Sequence, residues 1–337
     1  MGQYWEMVAY ERRETMGCWG KAGEFMQTAS PALVIHRLAV PVQDEHARDA
    51  RRGPAPCNQS PQEHSRLLQL SVDVILLITD ELDLNSLYSF SHCCWTLHSL
   101  LRTVVNSRFR RSLAPWANTP LICAGDYMET NPPGVTTRVP KDFAPDPDMN
   151  EDIPPERYSD LTVYDVVRHM HPTDVLYGSA CLSLPTYPRP KPRRPYYQFT
   201  NMYHEEPWER ILEIRKYFPP GRRWVLRNLT TKEYVYAHVF TSLDGKGGGQ
   251  DRPDATSLWG YSLGTLVFVN TCWSDDDSAA MFGLNVRGRW AAHCFDIVEE
   301  AKLLKDMKDS DGVWVDVSFR EYQAMVQLFK QNRWDRA

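Results

Sequence analysis

The chain has 337 residues, of which 42% are hydrophobic, and it carries a formal net charge of −5. This length leaves room for two domains, and the slightly acidic charge excludes a general attraction to nucleic acid or to acidic membranes. Eight cysteines are scattered along the chain without a C-x-x-C pair. That spacing argues against a disulfide framework and against a structural zinc site, so we expect a reducing compartment.

The sequence gives no sign of membrane targeting. Residues 1–20 lack the apolar stretch of a secretory signal, and no segment is long enough to cross a bilayer. Gly2 is not followed by the Ser or Thr that myristoylation requires, because position 6 is Glu6. We therefore expect a soluble protein of the cytoplasm or the nucleus, without a membrane partner.

The first 64 residues differ sharply in composition from those that follow. Residues 1–64 show no sustained hydrophobic periodicity, and their second half is polar and proline-containing, which predicts a disordered arm. Residues 65–113 contain the stretch Leu70–Leu101, with 18 apolar or cysteine residues in 32 positions and no Lys or Arg. Breaks at Asp83 and near Cys94 divide it into three helices, for which Ser71 and Asp83 are plausible N-caps.

The rest of the chain divides into two further regions. Residues 114–207 are irregular and proline-rich, and Pro188–Pro195 alternates proline with basic residues in the manner of an exposed polyproline II linker. Residues 208–337 form a β-rich domain whose predicted strands are 224–228, 233–240, 263–270, a hairpin of 281–286 with 290–298, and 312–317. A capping box from Ser318 to Glu321 opens a terminal helix. The predicted fold class is α+β.

A three-helix domain of this size cannot bury all its large side chains by itself. Each side chain left in water forgoes roughly 1.5–3 kcal/mol of burial free energy. The surplus apolar surface therefore requires a partner protein or, alternatively, the β-rich domain of the same chain.

The stretch resembles an F-box, and the resemblance extends over it without gaps. The family pattern falls on Leu70, Val74, Ile75, Ile78, Leu82, Leu87, Phe90, Cys94 and Leu97, with Asp73 in the first helix. Three positions differ from the pattern: Ser71 replaces the usual proline, Ser86 the usual aspartate and Leu97 a common tryptophan. The resemblance implies that those nine residues bind a Skp-type adaptor, which joins an unknown target protein to a cullin–RING ubiquitin ligase.

The C-terminal half is similar to the region that follows the F-box in uncharacterised fungal proteins. The resemblance rests on Trp224–Thr230, Thr271–Asp275 and Gly288–His293. Tryptophans 208, 224, 259, 273, 290 and 314 fall in or near these segments. They are expected to form the core of a sheet, with a recognition surface as the alternative.

One motif favours an enzyme instead. Gly260–Gly264 satisfies G-x-S-x-G around Ser262, and Asp275, Asp276 or Asp277 and then His293 follow in hydrolase order. The polar segment before Ser262 and the β-prone residues after it do not match the strand and helix that flank such a serine. A metal at His293 and Cys294 with one of these aspartates, or at His169 and His171, has no supporting spacing motif. We expect neither metal nor cofactor.

These observations predict an adaptor or receptor subunit without a catalytic site of its own. It would be the substrate-recognition subunit of an SCF-type ligase in ubiquitin-dependent degradation. Two alternatives stay open: a non-ligase F-box scaffold and, less favoured, a serine hydrolase.

Overall fold

The computed structural model describes residues 3–27, 30–42, 65–137, 161–168, 217–219, 221–242, 261–279, 281–309 and 312–332. These residues form a mixed α/β structure with two compact units. The sheet unit comprises residues 1–40, 114–182 and 218–337, and the helical unit comprises residues 41–113 and 183–217.

Helices and strands are numbered in chain order. The strands are β1 (Trp5–Ala9), β2 (Glu14–Trp19), β3 (Thr119–Gly125), β4 (Trp224–Asn228), β5 (Glu233–Tyr236), β6 (Cys272–Trp273), β7 (His293–Glu299) and β8 (Val315–Asp316). The helices of the sheet unit are α1 (Ala22–Gln27), α2 (Ser30–Leu38), α6 (Val163–Arg168), α7 (Val239–Ser242), α8 (Leu263–Thr271), α9 (Glu300–Asp309) and α10 (Ser318–Gln331). The helical unit contains α3 (Val72–Asp80), α4 (Leu84–Ser91) and α5 (Trp95–Ser112).

The strands form one mixed sheet in the order β2-β1-β3-β7-β4-β5-β8, and β6 pairs with β3 outside this path. The pairs β3–β6 and β5–β8 are parallel, and the remaining pairs are antiparallel. Strands from both parts of the chain therefore join in one sheet, with β2, β1 and β3 on one side and β7, β4, β5 and β8 on the other. The predicted β-rich domain of residues 208–337 is consequently too short, because β1, β2 and β3 complete its sheet.

The prediction of a disordered arm over residues 1–64 is wrong for residues 3–27 and 30–42. β1 pairs with β2 on one side and with β3 on the other. Four of its five residues are fully buried, so it lacks the alternation of buried and exposed positions that marks a strand in a sequence. Residues 43–64 lie outside the described residues.

The region 114–207 is not irregular throughout, so this prediction also needs correction. β3 lies inside the sheet between β1 and β7, and all seven of its residues are buried. α6 lies further along the same region. Residues 138–160 and 169–216, including the Pro188–Pro195 segment, lie outside the described residues.

The strands predicted at 224–228, 233–240 and 312–317 form at least in part, but the strand predicted at 263–270 does not. β4 and β5 form the predicted hairpin, with Val225 opposite Tyr236, but β5 ends at Tyr236 and α7 occupies Val239–Ser242, where a strand to residue 240 was predicted. β8 occupies two residues of the predicted strand 312–317. The predicted strand 263–270 is instead α8, whose N-cap Ser262 accepts a hydrogen bond from Thr265 N–H at 3.3 Å. α8 is apolar and buried around most of its circumference, so its sequence shows no period that separates a helix from a strand.

The predicted hairpin of residues 281–286 with 290–298 is wrong in its first half. β7 forms, but it pairs with β4 and β3 rather than with residues 281–286. Phe282 N–H donates to Asn332 Oδ1 at 2.8 Å, and Gly283 has a φ of +77°. The main chain at this point therefore turns to pair with a side chain rather than with another strand.

The terminal helix α10 is confirmed, but its predicted capping box does not form. Ser318 Oγ accepts Tyr236 N–H at 3.0 Å, whereas Ser318 N–H donates to Asp316 Oδ1 at 2.9 Å. Glu321 is buried and bonds to Arg289 and Asn270. Tertiary partners thus replace the local reciprocal bonds of the box.

The helices of the helical unit begin where their sequence predicts. Ser71 Oγ accepts Val74 N–H at 3.4 Å, and Asp83 Oδ1 accepts Ser86 N–H at 2.8 Å. Tyr217 joins this unit from a distant part of the chain: its hydroxyl lies 3.4 Å from Asn106 O, and its carbonyl accepts Val42 N–H at 2.9 Å. The predicted boundaries of 65–113 therefore leave out residues that complete the unit.

Candidate functional site

The most unusual surface of the helical unit lies on and just before α3. Four apolar side chains within eight residues are exposed there: Leu70 by 40%, Val72 by 51%, Val74 by 39% and Leu77 by 66%. We call these four residues the α3 surface. Asp73, Asp80 and Glu81, on and just after the same helix, are also exposed. Contiguous apolar surface with a polar rim is typical of a protein-binding site.

The spacing of residues along α3 explains why two of these side chains, Val74 and Leu77, point outward. Ile75 and Thr79 lie one turn apart and are buried, which fixes the inward face of the helix. Val74 and Leu77 are three residues apart and share the opposite face. With Ile75 turned inward, Val74 and Leu77 must therefore face solvent.

α5 supplies most of the core of the helical unit. Leu97, Leu101, Val105 and Phe109 recur every four residues along it and are buried. Leu87 of α4 is also fully buried, and α4 packs against α5. The inward faces of α4 and α5 thus form a closed apolar core.

Arg108 fixes the position of the turn that follows α3. Its Nη1 donates to Leu82 O at 2.9 Å, and its Nη2 lies 2.6 Å from Asp80 Oδ1. The sequence places Arg108 in a basic cluster, and its tertiary partners were not predicted. The contact ties the end of α3 to α5, so the α3 surface is held on a defined backbone.

The nine predicted adaptor-binding residues fall into three groups by exposure. Leu70 and Val74 are exposed, and Ile78, Leu82, Phe90 and Cys94 are partly buried. Ile75, Leu87 and Leu97 are buried, so their interpretation as direct adaptor contacts is corrected: they form the core. Val72 and Leu77 are exposed and were missed, although the helical spacing from Val74 could have identified Leu77.

The turn between α4 and α5 carries a cluster of aromatic and histidine rings. The ring of His92 lies 4.2 Å from that of Tyr88 and 5.4 Å from that of His98. Burial lowers the pKa of His98, and the neighbouring His92 and Arg102 lower it further. Cys94, at the start of α5, caps that helix through a 3.5 Å contact from Leu97 N–H to its Sγ. These contacts stabilise the turn locally.

Three residues of the hydrolase hypothesis, Ser262, Asp275 and His293, are engaged in structural contacts. A helix, α8, follows Ser262, so the prediction of a strand there is wrong. Ser262 is fully buried, and its hydroxyl caps that helix. Asp275 accepts the N–H groups of Glu129 and Thr130 at 2.8 and 2.9 Å. His293 Nδ1 lies 2.8 Å from Asn228 Nδ2, and burial lowers the pKa of His293. Residues 243–260, before Ser262, lie outside the described residues.

The candidate metal ligands do not assemble in the described part of the chain. Among these residues, no three His, Cys, Asp or Glu side chains come together in a way that could hold a metal ion. His169 and His171 lie outside the described residues.

Most of the described tryptophans are core residues. Trp224, Trp273 and Trp290 are buried, as predicted for a sheet. Trp314 is only partly buried, and its ring lies 5.4 Å from the guanidinium of Arg227. Trp208 and Trp259 lie outside the described residues.

Comparison of the chain with protein-family models, curated proteins and solved structures finds no significant match. Within the described residues, no helix combines the length and the apolar character needed to cross a membrane.

Proposed function

We propose that this chain is an F-box-type substrate-recognition subunit of a cullin–RING ubiquitin ligase. The α3 surface would bind a Skp-type adaptor in the cytoplasm or nucleus, and the sheet unit would bind the target protein. The observation that carries this proposal is the exposure of four apolar side chains on and just before a helix whose inward residues, Ile75 and Thr79, are buried.

The energetics of the α3 surface favour a protein partner. An exposed apolar side chain of this size gains roughly 1.5–3 kcal/mol when it is fully buried. Four such side chains within eight residues would contribute several kcal/mol to a complex, before the cost of association is subtracted. The resemblance of Leu70–Leu101 to an F-box then supplies the class of partner, a Skp-type adaptor.

The proposed mechanism is proximity. A subunit that holds a target next to a conjugating enzyme turns an encounter between separate molecules into an effectively intramolecular one. Such a subunit contributes binding and orientation, and it requires no catalytic side chain. Two distinct binding surfaces are needed, one for the adaptor and one for the target.

The test changes the α3 surface without disturbing the core. In Val74→Asp combined with Leu77→Asp, two exposed apolar residues become charged, and we expect co-purification with a Skp-type adaptor to fall at least 100-fold. The matched control is Thr103→Asp with Ser107→Asp, which adds the same charge at exposed positions of α5 and should leave binding unchanged. Amide hydrogen exchange in α4 and α5 should be the same in both variants.

The result also separates the ligase subunit from a non-ligase scaffold. Recovery of a cullin together with the adaptor supports the ligase, whereas an adaptor without a cullin supports the scaffold. A wild-type chain that binds no adaptor, or a double variant that binds as tightly as wild type, overturns the proposal. Ile75 and Leu87 are unsuitable for this test because both are buried.

A further inference from the structure

The sheet ends at β8, and this edge carries apolar side chains that are exposed. β8 pairs with β5 on one side and is the last strand of the sheet among the described residues. Val313 is 84% exposed and Val315 49%, and Phe319, in the first turn of α10 just after them, is 71% exposed. We call residues 313–317 the β8 edge. Edge strands in native proteins are usually protected by charges, proline or a covering element.

The hydrogen bonds to β5 show which main-chain groups of the β8 edge point away from the sheet. Val315 N–H donates to Lys232 O at 2.9 Å, and Val317 N–H donates to Tyr234 O at 3.0 Å. Successive residues of a strand direct their main-chain groups to opposite sides. The N–H and C=O groups of Trp314 and Asp316 therefore point outward, as in a strand that can accept a neighbour.

The two faces of the β8 edge differ in chemistry. Val313 and Val315 are two residues apart and lie on one face, whereas Trp314 and Asp316 lie on the other. Asp316 is opposite Tyr234 in the ladder, so the two side chains share a face. The edge thus has exposed valines on one face, beside the Glu233–Arg320 ion pair. On the other face it has Asp316, near Arg227, whose charge is matched by Asp296 and Asp306.

The face with Asp316 has features that favour a cation. The rings of Tyr234 and Tyr236 lie 5.5 Å apart at 88°, and Tyr236 donates its hydroxyl to Glu300 at 2.9 Å. Asp316 has no salt-bridge partner among the described residues, whereas Glu300 lies 3.7 Å from Arg223. Burial raises the pKa of Tyr234, and the negative charges of Asp316 and Glu300 raise it further. Carboxylates beside aromatic rings attract Lys and Arg side chains.

We propose that the β8 edge binds an extended segment of the target protein, which adds to the sheet as a strand and alternates apolar with basic residues. Its main chain pairs with Trp314 and Asp316. Its apolar side chains contact Val313, Val315 and Phe319, and its basic side chains face Asp316 and Tyr234. This mode of recognition uses main-chain bonds for affinity and alternate side chains for specificity. The assignment of this segment to a ubiquitination target rests on the proposed function.

The size of the apolar patch favours a peptide over a second copy of this chain. An aromatic side chain buries about 150–250 Å², so Val313, Val315 and Phe319 together offer on the order of 300 Å². A stable interface between two folded proteins needs roughly 800 Å² per partner. A peptide strand of five or six residues can bind to the smaller apolar area of about 300 Å², because its main chain also forms hydrogen bonds with the β8 edge.

The experiment uses synthetic peptides and the full chain. The probe is a fluorescein-labelled decapeptide of alternating valine and lysine, and its binding is measured by fluorescence polarisation. We expect a peptide with glutamate in place of lysine to bind at least 10-fold more weakly. A second peptide is methylated at those main-chain nitrogens whose N–H groups would donate to the β8 edge. It should bind more weakly than the unmethylated peptide by a similar factor, because each methyl group removes a donor.

Variants of the chain locate the site. Val313→Ser with Phe319→Ser should weaken binding of the valine–lysine peptide at least 10-fold. Asp316→Asn removes the negative charge but keeps a side-chain oxygen that can accept Ser318 N–H, and it should weaken binding severalfold. The matched control is Phe282→Ser. Phe282 is also exposed, but its main chain is bonded to Asn332, just beyond the far end of α10 from Phe319.

Several outcomes overturn the inference. These are the absence of binding, equal binding by the N-methylated peptide, or loss of binding in Phe282→Ser as large as in the edge variant. A wild-type dimer that the edge variant dissociates, seen by sedimentation velocity, assigns the edge to a second copy instead. The Val74→Asp and Leu77→Asp variant should still bind the peptide, so failure at the adaptor and failure at the edge give different results.

Discussion

α3 in the helical unit and β4 in the sheet unit are both rich in apolar residues, but α3 exposes several of its apolar side chains and β4 buries all of its own. α3 leaves Val72, Val74 and Leu77 exposed, whereas every residue of β4 is buried, including Arg227. β4 has a strand on each side, and α9 packs against it. α3 belongs to a unit in which the described residues form only three helices. The difference shows that the number of neighbours, more than the apolar content of a segment, decides how much of it is buried.

The burial of Arg227 is possible because its charge is matched. Its Nε and Nη2 donate to the two carboxylate oxygens of Asp296 at 2.8 and 2.6 Å, and Nη1 donates to Asp306 at 2.6 Å. Burial disfavours the charged form of Arg227, but these hydrogen bonds outweigh it and raise its pKa. A buried charge of this kind persists only when its partners satisfy it.

The largest expected effect is in the sheet unit. Arg227→Ala leaves the carboxylate of Asp296 buried without its partner, and we expect a loss of about 3–5 kcal/mol in the stability of this unit. Urea unfolding followed by tryptophan fluorescence measures it. The control is Arg227→Met with Asp296→Leu, which removes both charges and should recover most of the loss. A full loss in this double variant would contradict the role given to the ion pair.

The next effect contrasts the core of the helical unit with its surface. Leu87→Ala creates a cavity in the core, and we expect a loss of about 2–5 kcal/mol, measured by amide hydrogen exchange in α5. Leu77→Ala is the matched control, because the same side chain is truncated at an exposed position. It should change stability by no more than about 0.5 kcal/mol. Equal losses in the two variants would show that the α3 surface is covered.

The smallest effect is a pH dependence in the sheet unit. Burial lowers the pKa of His36 to about 4, so this side chain stays neutral in the folded state while the unfolded chain takes up a proton below a pKa of about 6.5. Stability is therefore complete above pH 6.5 and falls as the pH drops toward 4. We expect a loss of about 2 kcal/mol, less than the whole shift would give because His36 keeps some exposure.

Urea unfolding between pH 7 and 4.5 tests this expectation. Replacing His36 by Gln removes the titrating group, and the stability of that variant should change less over the same range. In the helical unit, where burial lowers the pKa of His98 to a lesser degree, a smaller change is expected. An unaltered pH profile in His36→Gln would assign the acid sensitivity to other groups.

Local signals in the sequence predicted part of the fold and of the candidate site. Ser71 and Asp83 cap the helices that they were predicted to cap, because a cap depends on hydrogen bonds within four residues. The hairpin of β4 and β5 was found for the same reason, since its strands are joined by a short turn. On the α3 surface, the sequence pointed to Leu70 and Val74 but placed Ile75, Leu87 and Leu97 on the same surface. A family pattern gives positions along the chain, and it does not separate core from contact residues.

The sequence by itself determined where the three helices of the helical unit begin, since caps and helical spacing act over a few residues, but the third helix continues beyond the predicted Leu101 to Ser112. Only the tertiary structure decided that residues 5–9 and 119–125 join strands from the far end of the chain in one sheet. It also decided that 263–271 is a helix and that Ser318 and Glu321 bond to distant partners. The physical reason is that buried groups take their conformation and their hydrogen-bond partners from neighbours that are remote in sequence, and a period of two or of 3.6 residues appears only where one face meets water.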